Sequence, residues 1–592
     1  MTPKVRAALD GLNEQQRAAA TALSHALVLA CPGSGKTKML SVKAALLLCS
    51  PDNRVCMVTF ARDSAIELRD RTLAIADEIN NAKGRLTTGT FHSLCYKMLS
   101  RHRKIDLRAI IGDGEALSYA IRAMERYGVE GDVSAVVRQI ELVRTGQGGP
   151  LVTEQHRLLA KEYTDLLRRN GKIDFTDLVV DTLQALENGT IAPMPLTHML
   201  VDEYQDTDAL QYKWVRAHSE AGTIVTVVGD DDQAIFSWRF AMGYSGMTRF
   251  ADDHDAERII LATNYRCRAE ILTAAGHLIA HNPERQPKML QAARGSGGSV
   301  RVFSAHDVDS EADVVVDTFA DFNSSSYTGA VLCRTKRALT AVAVALRSFG
   351  IPVDAPRSAS VLDSEEGRVF LDLADCISNQ SKRGMDHALS WAGVAYEDLR
   401  HIHALRQNDL RRIKPAEYRE AGVSDEGGET WNHFVRTFAA LRLANESGEA
   451  RINLILEGIR AWMDSTGRYQ LLSVQADNAR FTQMMFTARQ GALSERLNAI
   501  RNMIRADKGD KNSNTRKVVL TTMHAAKGLE WDKVHIIRAE NGVCPSANAL
   551  DVEEERRLFY VAMTRARDSL TITHTSINSM SIFVHQARLT PL

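Results

Sequence analysis

Apolar and polar positions along the chain fall into two textures. One is a short run of apolar and β-branched residues that ends abruptly and passes into a helical stretch. It occurs at His25 to Ala30, Arg54 to Phe60, Thr88 to Thr90, His198 to Val201, Thr223 to Gly229, Gly329 to Arg334 and Lys517 to Thr522. Runs that are apolar throughout, rather than alternating, mark strands buried on both faces, and their alternation with helices predicts parallel, doubly wound α/β sheets. The other texture is helical and rich in Arg, Glu and Leu. It fills about Leu94 to Leu186, with a Gly-rich break at Gly146 to Pro150, and roughly Ser381 to Asn514, broken at Gly427-Gly428. Basic clusters there, Arg411-Arg412 and Lys508 to Lys511, read as a solvated charged face. The expected organisation is a first lobe at 1–93 and 187–256 with a helical insertion at 94–186. A second lobe is expected at 257–380 and 515–592, with its own insertion at 381–514.

The chemistry sits where strands end. The first apolar run breaks into Ala30-Cys31-Pro32-Gly33-Ser34-Gly35-Lys36-Thr37-Lys38, the strand, glycine turn and helix start of a phosphate-binding loop. Gly33 and Gly35 let backbone N–H groups close on phosphate oxygens, and the helix N-terminus adds partial positive charge. Lys36 can neutralise phosphate and Thr37 can ligate Mg²⁺. Ala30 stands where the usual pattern has Gly. Downstream, Asp202-Glu203 closes the strand at His198 to Val201. Asp202 suits Mg²⁺, and Glu203 suits orienting or deprotonating an attacking water.

Gln233 follows the next strand and can touch a γ-phosphate, with Phe236, Trp238 and Arg239 close behind. A phosphate sensor a few residues from a ring that stacks on a base makes a short mechanical link. Phe60, Phe91 and His92 cluster at strand ends, where open α/β sheets bind ligands. Core packing is the competing reading for each of these rings and for Trp238. Tyr265-Arg266 pairs an adenine-stacking ring with a guanidinium. Asn13 reads as the N-cap of a helix that carries Gln16, whose amide suits the edge of adenine. Glu553 to Arg567 reads as a helix carrying Arg565.

Composition narrows the partners. Lys+Arg and Asp+Glu are both 73, so no global field draws the protein to nucleic acid, and any such contact rests on local grooves and rings. Eight scattered cysteines without a C-x-x-C pair argue for a reducing cytoplasm and against zinc. The absence of a long apolar run or leader predicts no membrane association.

Taken in order, L-N-E-Q-Q-R, A-C-P-G-S-G-K-T, V-T-F-A-R-D, G-T-F-H-S, D-E-Y-Q-D-T, G-D-D-D-Q-A-I-F-S-W-R, N-Y-R, and H-A-A-K-G-L-E-W with V-A-M-T-R-A resemble the UvrD/Rep/PcrA branch of superfamily 1 DNA helicases from Leu12 to about Thr573. In that family Ala also occupies the position of Ala30. The resemblance implies two RecA-like P-loop motor lobes that grip one ATP, and 3′-to-5′ movement on single-stranded DNA or at single-strand/duplex junctions. It implies adenine contacts from Gln16 and Tyr265. Hydrolysis falls to Lys36, Thr37, Asp202, Glu203 and Gln233, and Arg266 and Arg565 serve as arginine fingers from the second lobe. Glu530 is implied at the ribose, and Phe60, His92, Trp238, Arg239 and His524 along the strand path.

The chain departs from the family at Cys544, where an aromatic is common, and at Phe236, where Tyr is frequent. Its second insertion is short, an extended C-terminal tail is absent, and too little chain follows Arg567 for a fused nuclease. A translocase with weak unwinding, the motor subunit of a larger recombination, phage or defence complex, and an ATP-gated binding module without turnover remain the alternatives.

Overall fold

The computed structural model describes residues 1–103, 109–131, 133–146, 152–355, 362, 364–379, 383–406, 412–446, 448–465, 473–509 and 516–591. Most of the first expected break, Gln147 to Pro150, and the basic residues Arg411 and Lys511 lie outside them. The chain forms two compact units. One comprises Met1–Gly298, Ala549–Thr564 and Gln586–Arg588, and the other Ser299–Asn548, Arg565–His585 and Leu589–Leu592.

The first unit is built on a six-stranded parallel sheet of β1 (Ala26–Ala30), β2 (Val55–Thr59), β3 (Leu86–Thr90), β4 (His198–Val201), β5 (Ile224–Gly229) and β6 (Glu257–Leu261), in the order β3-β2-β4-β5-β1-β6. Successive residues of β1 point to opposite faces. Leu27 and Leu29 join the core with Leu94, Leu178 and Trp214, and Val28 joins the one with Leu40 and Leu68. Both faces are covered by helices, which is why these strands are apolar at every position.

Two expected boundaries move. Glu257 does not open a second lobe, because β6 pairs with β1 from Ala26↔Glu257 to Ala30↔Leu261. The short parallel pair β7 (Thr263–Asn264) and β8 (Gln291–Ala292) also belongs to the first unit. The first insertion is smaller than 94–186. Helices Phe91–Arg103 and Phe175–Glu187 pack into the core of the sheet, and a separate core forms from Ile111 to Leu167.

The second unit carries the parallel sheet β11-β12-β10-β13-β14-β9, made of β9 (Ser299–Ala305), β10 (Gly329–Cys333), β11 (Val353–Asp354), β12 (Val518–Thr522), β13 (Trp531–Ile536) and β14 (Ala566–Thr575). Its insertion core draws in Val369, Phe370 and Leu373 of the helix Glu365–Asn379, so the helical region begins before residue 381. The helix expected through Arg567 spans Val552–Met563. Ala566 already starts β14, so Arg565 lies in the join. Among the described residues no helix is long and apolar enough to cross a membrane.

Candidate nucleotide and strand-binding site

Four adjacent strands, β4-β5-β1-β6, carry most of the candidate chemistry at their carboxyl ends. After β1, Gly33 (φ 62°) and Gly35 (φ 76°) take left-handed backbone that glycine adopts without strain. They also permit close approach: a Cβ on Gly33 would lie 2.6 Å from Arg266 Cβ, and one on Gly35 2.8 Å from Gln16 Nε2. The helix Lys36–Leu48 begins at Gly35 with no side-chain cap, so its first N–H groups are left for a ligand. Ser34 Oγ is buried and has no hydrogen-bond partner.

Segments far apart in sequence hold this loop. Asn13 caps the helix Glu14–Thr21 reciprocally with Gln16, and Gln16 Nε2 donates to Ser34 O at 2.7 Å. Cys31 N–H donates to Leu261 O at 3.0 Å, Asn264 Nδ2 to Pro32 O at 2.6 Å, and Tyr265 N–H to Gly33 O at 2.9 Å. Tyr265 keeps an exposed ring, and its hydroxyl accepts from Asn13 Nδ2 at 2.7 Å. Arg266 is thus a residue of the first unit, not a contribution from the second lobe. Its guanidinium donates to Thr564 O at 3.2 Å, within the same unit. Thr37 is the second residue of the helix, half-buried, whereas Lys38 is exposed and donates to Gly11 O at 2.7 Å.

Lys36 Nζ lies 3.1 Å from Glu203 Oε1. Burial opposes its charge, but Glu203, Asp202 and Asp230 outweigh burial and hold the ammonium above its ordinary pKa. Asp202 is raised to about 7 by burial and by the Glu203 charge, against the pull of Lys36. Glu203 itself sits at φ 52°, a left-handed conformation uncommon outside glycine. After β5, Gln233 Nε2 donates to Asp230 Oδ2 at 2.5 Å. Asp230, Asp231 and Asp232 bring carboxylate oxygens close enough together to hold a cation, but the buried Lys288 ammonium fills that position at 2.5–3.2 Å.

The aromatic candidates gather beyond β2, β3 and β5. Phe60 and Trp238 are exposed, Arg239 lies 4.7 Å above the Trp238 ring, and Phe236 meets Trp238 at 6.3 Å. His92 is half-buried and kept neutral by burial and by the Arg239 charge. Phe91 departs from the expectation. It is 2% exposed, packed edge-on to Trp214 at 5.7 Å, so it belongs to the core. Phe175, not singled out from sequence, is exposed and edge-on to His92 at 5.7 Å. Its signal was an aromatic directly after the N-cap Asp174, a position that faces solvent at a helix start.

In the second unit, His524 follows the carboxyl end of β12. Glu530 and Arg565 immediately precede the paired starts of β13 and β14. Arg565 is 1% exposed and donates to Leu529 O at 3.2 Å, and Glu530 accepts from Arg567 Nε at 3.1 Å.

An uncapped glycine loop on a parallel sheet, flanked by Asp-Glu and Gln at neighbouring strand ends, defines a P-loop protein with two α/β motor sheets. The chain belongs to the UvrD/Rep/PcrA-like helicases: the UvrD/REP helicase N-terminal domain matches residues 12–110 and 137–255, and the UvrD-like helicase C-terminal domain matches 259–390 and 468–577. It is 28% identical to DNA helicase II of Escherichia coli K12, over 96% of this chain and 84% of that protein. It is 27% identical to ATP-dependent DNA helicase Rep of the same organism, over 94% and 90%, and 26% identical to ATP-dependent DNA helicase PcrA of Staphylococcus epidermidis, over 95% and 83%.

Proposed function

We propose that this protein hydrolyses ATP to move 3′ to 5′ along single-stranded DNA and to separate the duplex at a single-strand/duplex junction, working in the cytoplasm. The observation that carries this reading is the contiguity of β4-β5-β1-β6, which sets the loop, Asp202-Glu203, Gln233 and Tyr265-Arg266 along one edge of one sheet. The uncapped N–H groups after Gly35 and the Lys36 ammonium take the β- and γ-phosphates, and Tyr265 stacks on the base beside Gln16, which keeps one amide N–H and one carbonyl lone pair beyond its present bonds. Glu203 draws a proton from the attacking water, Gln233 contacts the γ-phosphate, and Arg266 offsets charge that develops on the transferred group.

The donor set of Thr37 hydroxyl and Asp202 carboxylate, all oxygen, fits Mg²⁺. When bound, Mg²⁺ supplies charge neutralisation at the phosphates. Exposed Trp238 and Phe60 offer sequence-tolerant stacking, and Trp238 lies five residues from Gln233, so strand grip and phosphate contact share one segment.

The test is strand displacement on matched duplexes with a 3′ or a 5′ single-strand tail, with Glu203→Gln alongside. Unwinding of the 3′-tailed duplex alone is expected, with DNA-stimulated turnover lost in Glu203→Gln while ATP still binds. Turnover without displacement of either duplex points to a translocase or a motor lacking its partner. Unimpaired turnover in Glu203→Gln removes Glu203 from the assigned role.

A further inference from the structure

Between Glu203 and Gln233 lies a side chain the reaction above leaves unused. Gln205 is fully buried in the turn after β4. Its Nε2 donates to Glu203 Oε2 at 2.6 Å, and its Oε1 accepts the Asp230 N–H at 2.9 Å, at the end of β5. The two bonds fix the amide's orientation, since its oxygen must face the N–H and its nitrogen the carboxylate. Gly229 makes room for it: a Cβ there would stand 2.7 Å from Gln205 Oε1 and 3.1 Å from its backbone nitrogen. Asp230 then continues the chain of contacts, accepting Gln233 Nε2 on Oδ2 at 2.5 Å and Lys288 Nζ on Oδ1 at 3.2 Å.

We infer that Gln205 is a positioning residue that ties the aim of the Glu203 carboxylate to the Asp230–Gln233 turn, so that the base is correctly oriented only when the γ-phosphate sensor is in place. This rests on the assignment of Glu203 as base. The chemistry requires an amide. Leucine leaves the buried Asp230 N–H unpaired, and glutamate keeps that bond but sets a second carboxylate against Glu203. Glu203 has a second partner, Lys36, which holds the carboxylate near the loop without fixing its rotation about the side-chain axis. Two donors, one at the helix start after β1 and one in the turn after β4, together define that rotation, and the strained backbone at Glu203 has a reason to persist if it delivers the carboxylate to them.

The experiment measures steady-state, DNA-stimulated ATP hydrolysis in the full chain carrying Gln205→Glu, Gln205→Leu or Gly229→Ala, with thermal unfolding recorded on each. A tenfold or greater fall in kcat with KM for ATP within twofold is expected in Gln205→Glu, which is isosteric. Gly229→Ala, whose Cβ crowds the amide and the flexible end of Met247, repeats the fall. A merely structural role would lower the unfolding midpoint and move KM with kcat. Unchanged kcat in Gln205→Glu, or equal movement of kcat and KM, overturns the inference. Glu203→Gln separates the two levels: inactive Glu203→Gln beside fully active Gln205→Glu sinks the positioning role alone, whereas active Glu203→Gln sinks the assignment on which it rests.

Discussion

The two six-stranded parallel sheets share an architecture and use opposite edges. In the first unit the candidate nucleotide residues sit at the carboxyl ends of β4, β5, β1 and β6, where open α/β sheets bind ligands. In the second, Glu530 and Arg565 sit at the amino ends of β13 and β14. Beyond the carboxyl ends of β13 and β14 the second sheet's buried carboxylates are met by the protein's own groups. Glu540, fully buried after β13, accepts from Arg538 Nε at 2.9 Å, from the Thr575 N–H at 2.8 Å and from Asn578 Nδ2 at 2.6 Å, and Glu311 accepts from the Thr573 hydroxyl and the Arg538 N–H. Those partners more than repay the burial that would raise the Glu540 carboxyl and hold it down to about 2. In the first unit the Lys36–Glu203 pair lies beside a helix start without a side-chain cap, whereas the buried carboxylates of the second are met by neighbouring side chains and backbone.

That contrast can be broken from either side. Lys36→Ala removes the ammonium paired with Glu203, and DNA-stimulated ATP turnover should fall about 10³-fold, about 4 kcal/mol, with thermal unfolding little changed. Glu540→Ala should act in reverse. It removes the nearer of the two carboxylates that face Arg538 and should cost about 3–5 kcal/mol of second-unit stability, read by denaturant unfolding, while ATP analogue binding to the first unit persists.

Smaller effects sharpen the comparison. Trp238→Ala should weaken single-strand binding by about 1–3 kcal/mol in a fluorescence titration, whereas Phe91→Leu should lower the unfolding midpoint and leave that affinity intact. His535, buried between Thr318 and Thr573 on the second sheet, is lowered to about 3 by burial and by the Arg301 charge. It is neutral when folded, and the unfolded chain takes up a proton below about 6.5. Stability is therefore full above that pH and should fall by about 1.4 kcal/mol per unit as pH drops toward 3, a slope that His535→Gln removes.

The loop and the Asp-Glu pair were legible because their chemistry is local: strand, glycine turn and helix start lie within about a dozen residues, and the Asn13 cap needs only its own helix. Strand membership was not. Glu257 was expected to open the second lobe, but Glu257 to Leu261 pairs with β1 across more than 200 residues, which no local pattern reports. The same gap assigned Arg266 to the second lobe, and the helix expected through Arg567 stops at Met563 because Ala566 already opens β14. Phe91 failed for another reason. A ring at a strand end faces solvent or core according to helix packing, and Trp214 decides it. Gln205 carried no signal of its own, since its value lies in two partners on different strands.

The helix Val552–Met563 belongs to the first unit although about 250 residues of the second separate it from Gly298. On the ribosome this imposes a delay. At about 5–20 residues per second, the first sheet emerges roughly 10–50 s before the helix whose Glu553 carbonyl meets Asn282 and whose Glu554 meets Ser237. The nascent chain holds that surface open through the whole interval, which leaves it within reach of chaperones and proteases until the late helix arrives.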